Sequence, residues 1–395
     1  MKHDLITPKK KSNISIDLTN PIGRGATAQV FKFTNGSKFY AAKIYKDPKK
    51  IDWDKIIYMT EYSCNTMYSF TKKHAWPIGI VQKNGVNVGF AMPLFDTSKF
   101  LSLDHFYDNI LKSSVKDKNL LALPNLGLLC KNLANLMAEF HKHKIYLIDV
   151  KPQNIVVNLE NNKITFLDCD GFSICGNNGK VFAADLVSTD YIAPEVTNNK
   201  LLPSKLGEKQ DLYALSVLIF QILNRGLHPF SGRTIAQYGN INTNDEKAVA
   251  GLFAYGKELN NRIKPHKSSL HEFWSNNLRY SFDKTFIDGK RLTALAWGKV
   301  FSDIENKKAY ARCSRFPSEA SHIRFKGKDC MHCFTQTLPK TTVNKNSLHK
   351  VKRSVQPKLI LAKAPPNPHT NKDTSFWKII LGIGLIIFLA SIIFQ

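Results

Sequence analysis

Acidic residues are scarce in this chain. Its 395 residues hold 31 Asp and Glu against 56 Lys and Arg, a formal net charge of +25. Such a balance points to an anionic partner, either nucleic acid or the surface of an anionic membrane. Cysteine is sparse and odd in number, seven in all. Cys64, Cys130, Cys169 and Cys175 stand singly in apolar or loop contexts, which argues against a disulfide framework and fits reduced, cytosolic thiols. No apolar run follows the charges of the first residues, so no secretory signal is expected there. Long apolar runs are few. Gln210 to Leu223 is strongly apolar, but it is too short and too polar-flanked to span a bilayer, and reads as a buried helix. The length allows one large domain or two smaller ones, with room for appendages.

Two neighbouring stretches carry the chemistry. Leu147 to Asn154 reads as a loop presenting Asp149, Lys151 and Asn154, and Ile164 to Gly171 as an apolar strand ending in Asp168 and Asp170. A carboxylate for a hydroxyl, a lysine beside it, and an amide with a carboxylate for magnesium are what phosphoryl transfer needs. Upstream, Gly23 and Gly25 lie in a turn between two strands, where backbone amides can close over phosphates. Lys43 sits in a largely apolar strand, Phe39 to Tyr45, where a charge is costly without a partner. Asp52 to Phe70 has helical spacing, and Asn84-Gly85 suits a type I′ turn between two strands. Leu120 to Lys144 carries an amphipathic helical pattern.

In this order the motifs resemble those of eukaryotic-like serine/threonine protein kinases, whose patterns are G-x-G-x-x-G-x-V, V-A-I-K, H-R-D-x-K-P-x-N, D-F-G and A-P-E. The resemblance covers about residues 15 to 305 and implies a two-lobed α+β fold, with an N-lobe to about 95 and a C-lobe from about 96. It implies a nucleotide site of Gly23, Gly25, Val30, Ala41, Lys43, Met92 and Leu94, with Met92 as gatekeeper and Pro93 removing a backbone donor from the hinge. Lys43 then grips the α- and β-phosphates of ATP, and Glu61 is its expected ion-pair partner. Asp149 handles the acceptor hydroxyl and Lys151 the γ-phosphate. Asn154 and Asp168 hold Mg2+ or Mn2+, with Asp170 assisting. Glu195, in Ala193-Pro194-Glu195, pairs with Arg291, and Asp211 supports the catalytic loop. The chain departs from the pattern where Leu147 and Ile148 replace His and Arg, Ala28 replaces the third glycine, and Cys169 and Asp170 replace Phe and Gly. The lost His-Arg pair removes the basic pocket that reads a phosphorylated activation loop. These departures keep a pseudokinase scaffold open as an alternative. A small-molecule phosphotransferase is the third reading, disfavoured by the Ala-Pro-Glu triplet and Arg291.

Beyond the kinase-like region, Cys313, His322, Cys330 and Cys333 offer three thiols and an imidazole, a donor set suited to structural Zn2+. The stretch 309–335 resembles the zinc ribbon that follows the kinase domain in a group of bacterial kinases associated with phosphatase and von Willebrand-type partners. No helix with base-reading spacing follows Cys333, so nucleic acid is a poor partner. Residues 336–375 are rich in Lys, Asn, Thr and Pro and read as a basic, flexible linker. Residues 376–394 end in an apolar run of about 16 residues from Ile379, near the length of a spanning helix if Lys378 snorkels. The expectation is a membrane anchor with the kinase-like domain on the cytoplasmic side, the basic linker lying against anionic lipid.

Overall fold

A computed structural model of the chain describes residues 1–338, apart from 66–67, 96–97, 112–120, 159 and 177–178. The expected linker and membrane helix therefore lie outside the described residues. Among those that are described, no helix is long and apolar enough to cross a membrane.

The N-lobe is a six-stranded barrel. Its strands are β1 (Lys2–Ile6), β2 (Lys11–Arg24), β3 (Ala28–Asn35), β4 (Lys38–Tyr45), β5 (Gly79–Lys83) and β6 (Val86–Pro93), closed in the order β1-β2-β3-β4-β6-β5. Period-2 alternation puts Ile14, Ile16, Phe31, Phe33, Ala42, Val81 and Ala91 inside as a separate small core. Strand β1 precedes the expected domain start at residue 15 and closes the barrel by pairing with both β2 and β5. Asn84 and Gly85 both take positive φ, 51° and 78°, as the tight β5–β6 turn requires. Between β4 and β5 lie α1 (Trp53–Asn65) and α2 (Tyr68–Thr71).

The C-lobe is mainly helical. It begins with β7 (Phe100–Ser102), α3 (Leu103–Leu111) and α4 (Leu123–Lys142), followed by β8 (Ile145–Tyr146), β9 (Ile155–Asn158), β10 (Ile164–Phe166), β11 (Ser173–Cys175) and β12 (Val181–Phe182). After α5 (Pro194–Asn198), helix α6 (Glu208–Leu223) is buried from Gln210 through Leu223. A helix apolar all round belongs at the centre of a core. In mid-helix the Ser216 hydroxyl donates to the Leu212 carbonyl at 2.8 Å and accepts the Trp297 indole N–H at 3.1 Å. Helix α8 (Asn276–Phe286) packs on α6, α9 (Ala294–Asn306) lies along α4 and reaches α6 through Trp297, and α7 (Asn244–Val249) lies against α5.

Where the ribbon was expected, the chain forms a hairpin of β15 (Tyr310–Arg312) and β16 (Ile323–Phe325), the short pair β13 (Arg233–Thr234) and β14 (Ile263–Lys264) lying earlier in the chain, and then α10 (Met331–Thr337). It is not a detached module. Phe325 and Met331 belong to the same apolar core as α4 and α6. The Tyr310 hydroxyl fills the space where a Cβ on Gly127 of α4 would stand, 2.7 Å away. His332 Nε2 lies 3.2 Å from the Leu121 carbonyl, and Phe334 stacks on Phe273 at 5.0 Å.

Candidate active site

The loop between β8 and β9 is held from below by one carboxylate. Asp211 of α6 is fully buried and accepts the backbone N–H groups of Leu147 and Ile148, each at 2.7 Å. His141 Nε2 lies 3.0 Å from the same carboxylate. The grip is needed because Ile148 sits at φ +58°, a left-handed conformation that is an outlier for a β-branched side chain. Leu147 and Ile148 are both buried, so the His-Arg positions of the resembling pattern are filled by core packing.

Asp149, Lys151 and Asn154 emerge from this loop together. Lys151 forms a close ion pair with Asp149, whose Oδ1 accepts the Ser188 hydroxyl at 2.5 Å. Lys151 Nζ is also 3.3 Å from Ser188 Oγ. No sequence motif singles out Ser188, seven residues before Glu195, and the structure gives it a place beside Asp149. The Asn154 amide donates to the Asp149 carbonyl at 3.3 Å. An amide oxygen and the half-exposed Asp168 carboxylate are the hard donors Mg2+ takes, so these residues fit such an ion.

Lys43 projects from β4, opposite Val30 of β3. On its other side Gly89 of β6 lets two backbones meet, since a Cβ there would stand 2.2 Å from the Lys43 carbonyl. The expected partner of Lys43 is corrected. Glu61 is exposed, while the lysine meets Asp168 at 2.5 Å and both Asp170 oxygens at 2.7 Å. The reason is helix phase. Ile56, Met59 and Thr60 are buried together with Lys55. At 100° per residue, Glu61 falls roughly 170° around the helix from the centre of that face. Asp170, expected to assist with metal, is instead spent on Lys43 and on the Tyr45 hydroxyl at 2.7 Å. Burial alone would lower the Lys43 pKa, but the two carboxylates outweigh it and hold it above its usual value. Asp168 takes φ +58°, and Cys169 beside it is buried, which pushes its thiol well up. The other residues expected at the nucleotide site lie on or beside β2, β3, β4 and β6. Ala41 is buried opposite half-buried Met92, Leu94 follows β6, and the Gly25 N–H turns back onto the Ala28 carbonyl at 2.9 Å.

Lower in the C-lobe, Arg291 grips Glu195 with two hydrogen bonds of 2.6 Å and donates to the Lys209 carbonyl at 2.9 Å. In the ribbon, Cys313, His322, Cys330 and Cys333 converge, their ligand atoms all within 4.8 Å of one another. The shortest contacts are 3.5 Å between Cys313 and Cys333, and 3.7 and 3.6 Å from His322 Nδ1 to Cys330 and Cys333. Tetrahedral ligands with Zn–S bonds of about 2.3 Å would stand roughly 3.7 Å apart, so the donor set fits zinc in both chemistry and spacing.

The two-lobed α+β architecture, a lysine from the N-lobe sheet and an Asp/Lys/Asn loop below it define a phosphotransferase-type cleft. A protein kinase domain model matches residues 16–289 of the chain, and the chain belongs to that family. It is 23% identical to the protein kinase YegI of Escherichia coli (strain K12) over 323 residues, which is 79% of this chain and 47% of that one. It is 25% identical over 164 residues to the serine/threonine-protein kinase ste20 of Emericella nidulans, covering 39% of this chain and 18% of that one. The chain thus spans about half the length of its YegI relatives, 47% and 42% in two Escherichia coli strains. Among solved structures, a rhoptry kinase from Toxoplasma gondii shares the fold, with TM-score 0.52, 11% identity, and coverage of 78% of this chain and 82% of that one.

The Glu195–Arg291 pair has a pH signature. Burial would raise the Glu195 pKa, but the hydrogen bonds and charge of Arg291 outweigh it and leave it below the usual value of 4.5. Stability from the pair is therefore complete above about pH 4.5 and is lost as pH falls through the lowered folded value. Arg291→Gln should flatten this acid limb of the stability curve. Chemical denaturation between pH 3 and 7 checks it, and an unchanged acid limb would remove the pair from the account.

Proposed function

We propose that the chain is an ATP- and magnesium-dependent protein kinase that phosphorylates serine or threonine hydroxyls. The observation that carries this is the contact of the Ser188 hydroxyl with Asp149 and Lys151, at 2.5 Å from the carboxylate and 3.3 Å from the ammonium. An alcohol and a carboxylate already meet there in the geometry that an acceptor hydroxyl needs. The serine/threonine name of the ste20 relative supports the same acceptor class.

In this reading Lys43 orients the α- and β-phosphates beneath the glycine turn, and Ala41, Met92 and Leu94 border the adenine. Asp149 accepts the hydroxyl proton as the acceptor oxygen bonds to the γ-phosphorus and the bridging P–O bond to ADP breaks. Lys151, paired with Asp149, balances charge on the transferring group. Bound magnesium, held by Asp168 and Asn154, would neutralise charge on the β- and γ-phosphates. Catalysis then rests on positioning and electrostatics. Asp149→Asn should abolish transfer while ATP binding stays within about twofold, because the residue acts on the acceptor. Turnover measured beside equilibrium ATP binding checks it. Wild-type turnover in the variant would defeat the assignment, and ATP bound without transfer in the wild type would favour the scaffold.

We also propose that Cys313, His322, Cys330 and Cys333 hold one structural zinc. Because such small sites couple metal binding to folding, Cys330→Ser with Cys333→Ser should remove the metal and lower the melting temperature. Elemental analysis of the full chain decides it, and no stoichiometric metal would end the claim.

The C-terminal run from Ile379 to Phe394 supports a membrane anchor. Left in water, each large apolar side chain there costs roughly 1.5–3 kcal/mol, whereas a helix in hydrocarbon closes its own backbone bonds. The full chain should sediment with membranes, resist high salt and come off with detergent, and deleting residues 376–395 should release it. Extraction by salt alone would leave only the basic stretch as a membrane contact.

A further inference from the structure

The two carboxylates around Lys43 are not equivalent. Lys43 is buried, and a buried ammonium must be paired. The Asp168 side chain is 48% exposed, open to the cleft, whereas that of Asp170 is 11% exposed. Asp170 spends both oxygens on Lys43 and takes the Tyr45 hydroxyl at 2.7 Å as well. Helix α1 brings the opposite charge to this cluster. Lys55, only 6% exposed, points inward from α1, and its ammonium donates to the Ala183 carbonyl at 3.1 Å. Burial lowers its pKa, offset in part by the charges of Asp170, Asp185 and Asp52.

We propose that Asp170 is the positioning residue that aims Lys43 at the nucleotide phosphates, taking the place of a carboxylate on α1, with Lys55 as the cation that α1 supplies to the same buried cluster. The proposal rests on the kinase reading of the cleft.

Division of labour explains why two acids are needed. A carboxylate that holds a metal cannot also be the full counter-charge of a buried lysine. With Asp168 given over to the metal, Asp170 still neutralises Lys43. An acid on α1 would be redundant, and the cluster would carry excess negative charge. With Lys55 there, two buried ammoniums face the mostly buried Asp170 and the cleft-facing Asp168. Helix α1 is joined to the segment after β12 through Lys55 and Ala183, and its Tyr58 ring packs on Phe182 of β12 at 5.0 Å. Its role is then to order that segment, and the aim of Lys43 does not depend on an acid from the helix.

The test compares Asp170→Asn, Asp170→Gly, Glu61→Ala and the double variant Lys55→Glu with Asp170→Gly, each in the full chain. Turnover is read beside the dissociation constants of MgATP and of adenosine, which lacks phosphates. Asp170→Asn should lower kcat by about 100-fold, as a misaimed catalytic group does. It should weaken MgATP binding and leave adenosine binding within about twofold, a split that general loosening of the fold would not give. The double variant returns the carboxylate to α1 and should regain at least about tenfold of what Asp170→Gly loses. Glu61→Ala, on the exposed face, should match wild type. Wild-type MgATP binding and turnover in Asp170→Asn would overturn the proposal, as would a loss in Glu61→Ala equal to that of Asp170→Asn. If the wild type transfers no phosphate, the kinase reading fails by itself, and the MgATP-against-adenosine comparison still decides the role of Asp170. If Asp170→Asn does not fold, Glu61→Ala and the double variant decide it.

Discussion

The candidate site hangs from one buried carboxylate. Asp211 has no exposed surface, yet it is fully engaged by two backbone N–H groups at 2.7 Å and by His141 at 3.0 Å. An unpaired charge there would be strongly destabilising, and three partners remove that cost. In return the carboxylate holds Ile148 in a conformation that costs on the order of 1–3 kcal/mol by itself. Because Asp211 belongs to the most buried helix of the C-lobe, the loop that carries Asp149, Lys151 and Asn154 inherits the rigidity of the core. The proposed role of that loop calls for this, since errors of an ångström in the placement of a catalytic group are expensive in rate.

The second tie runs between the lobes. Lys43 comes from the barrel, and Asp168 and Asp170 come from the C-lobe strand system, so the ion pairs cross the cleft. Burial makes these contacts strong and leaves little room for a lysine without a partner. The ribbon is joined to the C-lobe in a different way, through shared apolar packing of Phe325 and Met331. Cys313, His322, Cys330 and Cys333 are thus placed by the same core that places Asp211.

Much of this was legible in the sequence, for identifiable reasons. Asp149, Lys151, Asn154 and Asp168 are residue types that phosphoryl transfer demands in a fixed order, and order survives when single motifs drift. The apolar run at Gln210–Leu223 announced a buried helix by composition alone. What was not legible depended on tertiary placement. Glu61 was the one glutamate in its helix, but which face turns inward is decided by Ile56 and Met59, which are buried in the large apolar core. A signal did exist, in Lys55 beside Ile56 on the apolar face and in a carboxylate at Asp170 where the resembling pattern has glycine. Strand β1 was missed because five mixed residues gain their identity only by pairing with β5, far along the chain. The docking of the ribbon was written in Tyr310, Phe325 and Phe334, apolar residues in a basic stretch whose partners no local pattern reveals.

The closed barrel limits how other molecules can engage the N-lobe. An open sheet ends in a row of unpaired N–H and C=O groups, a template on which an extended peptide can add as a further strand. With β1 bridging β2 and β5, that template is consumed within the molecule. A partner approaching the barrel must be recognised through side chains, and there it meets Lys32, with Phe39 under its ammonium at 3.9 Å, as well as Lys38, Lys49 and Lys50. Recognition on this lobe is therefore a matter of charge and shape on a sealed surface, and it weakens as salt rises.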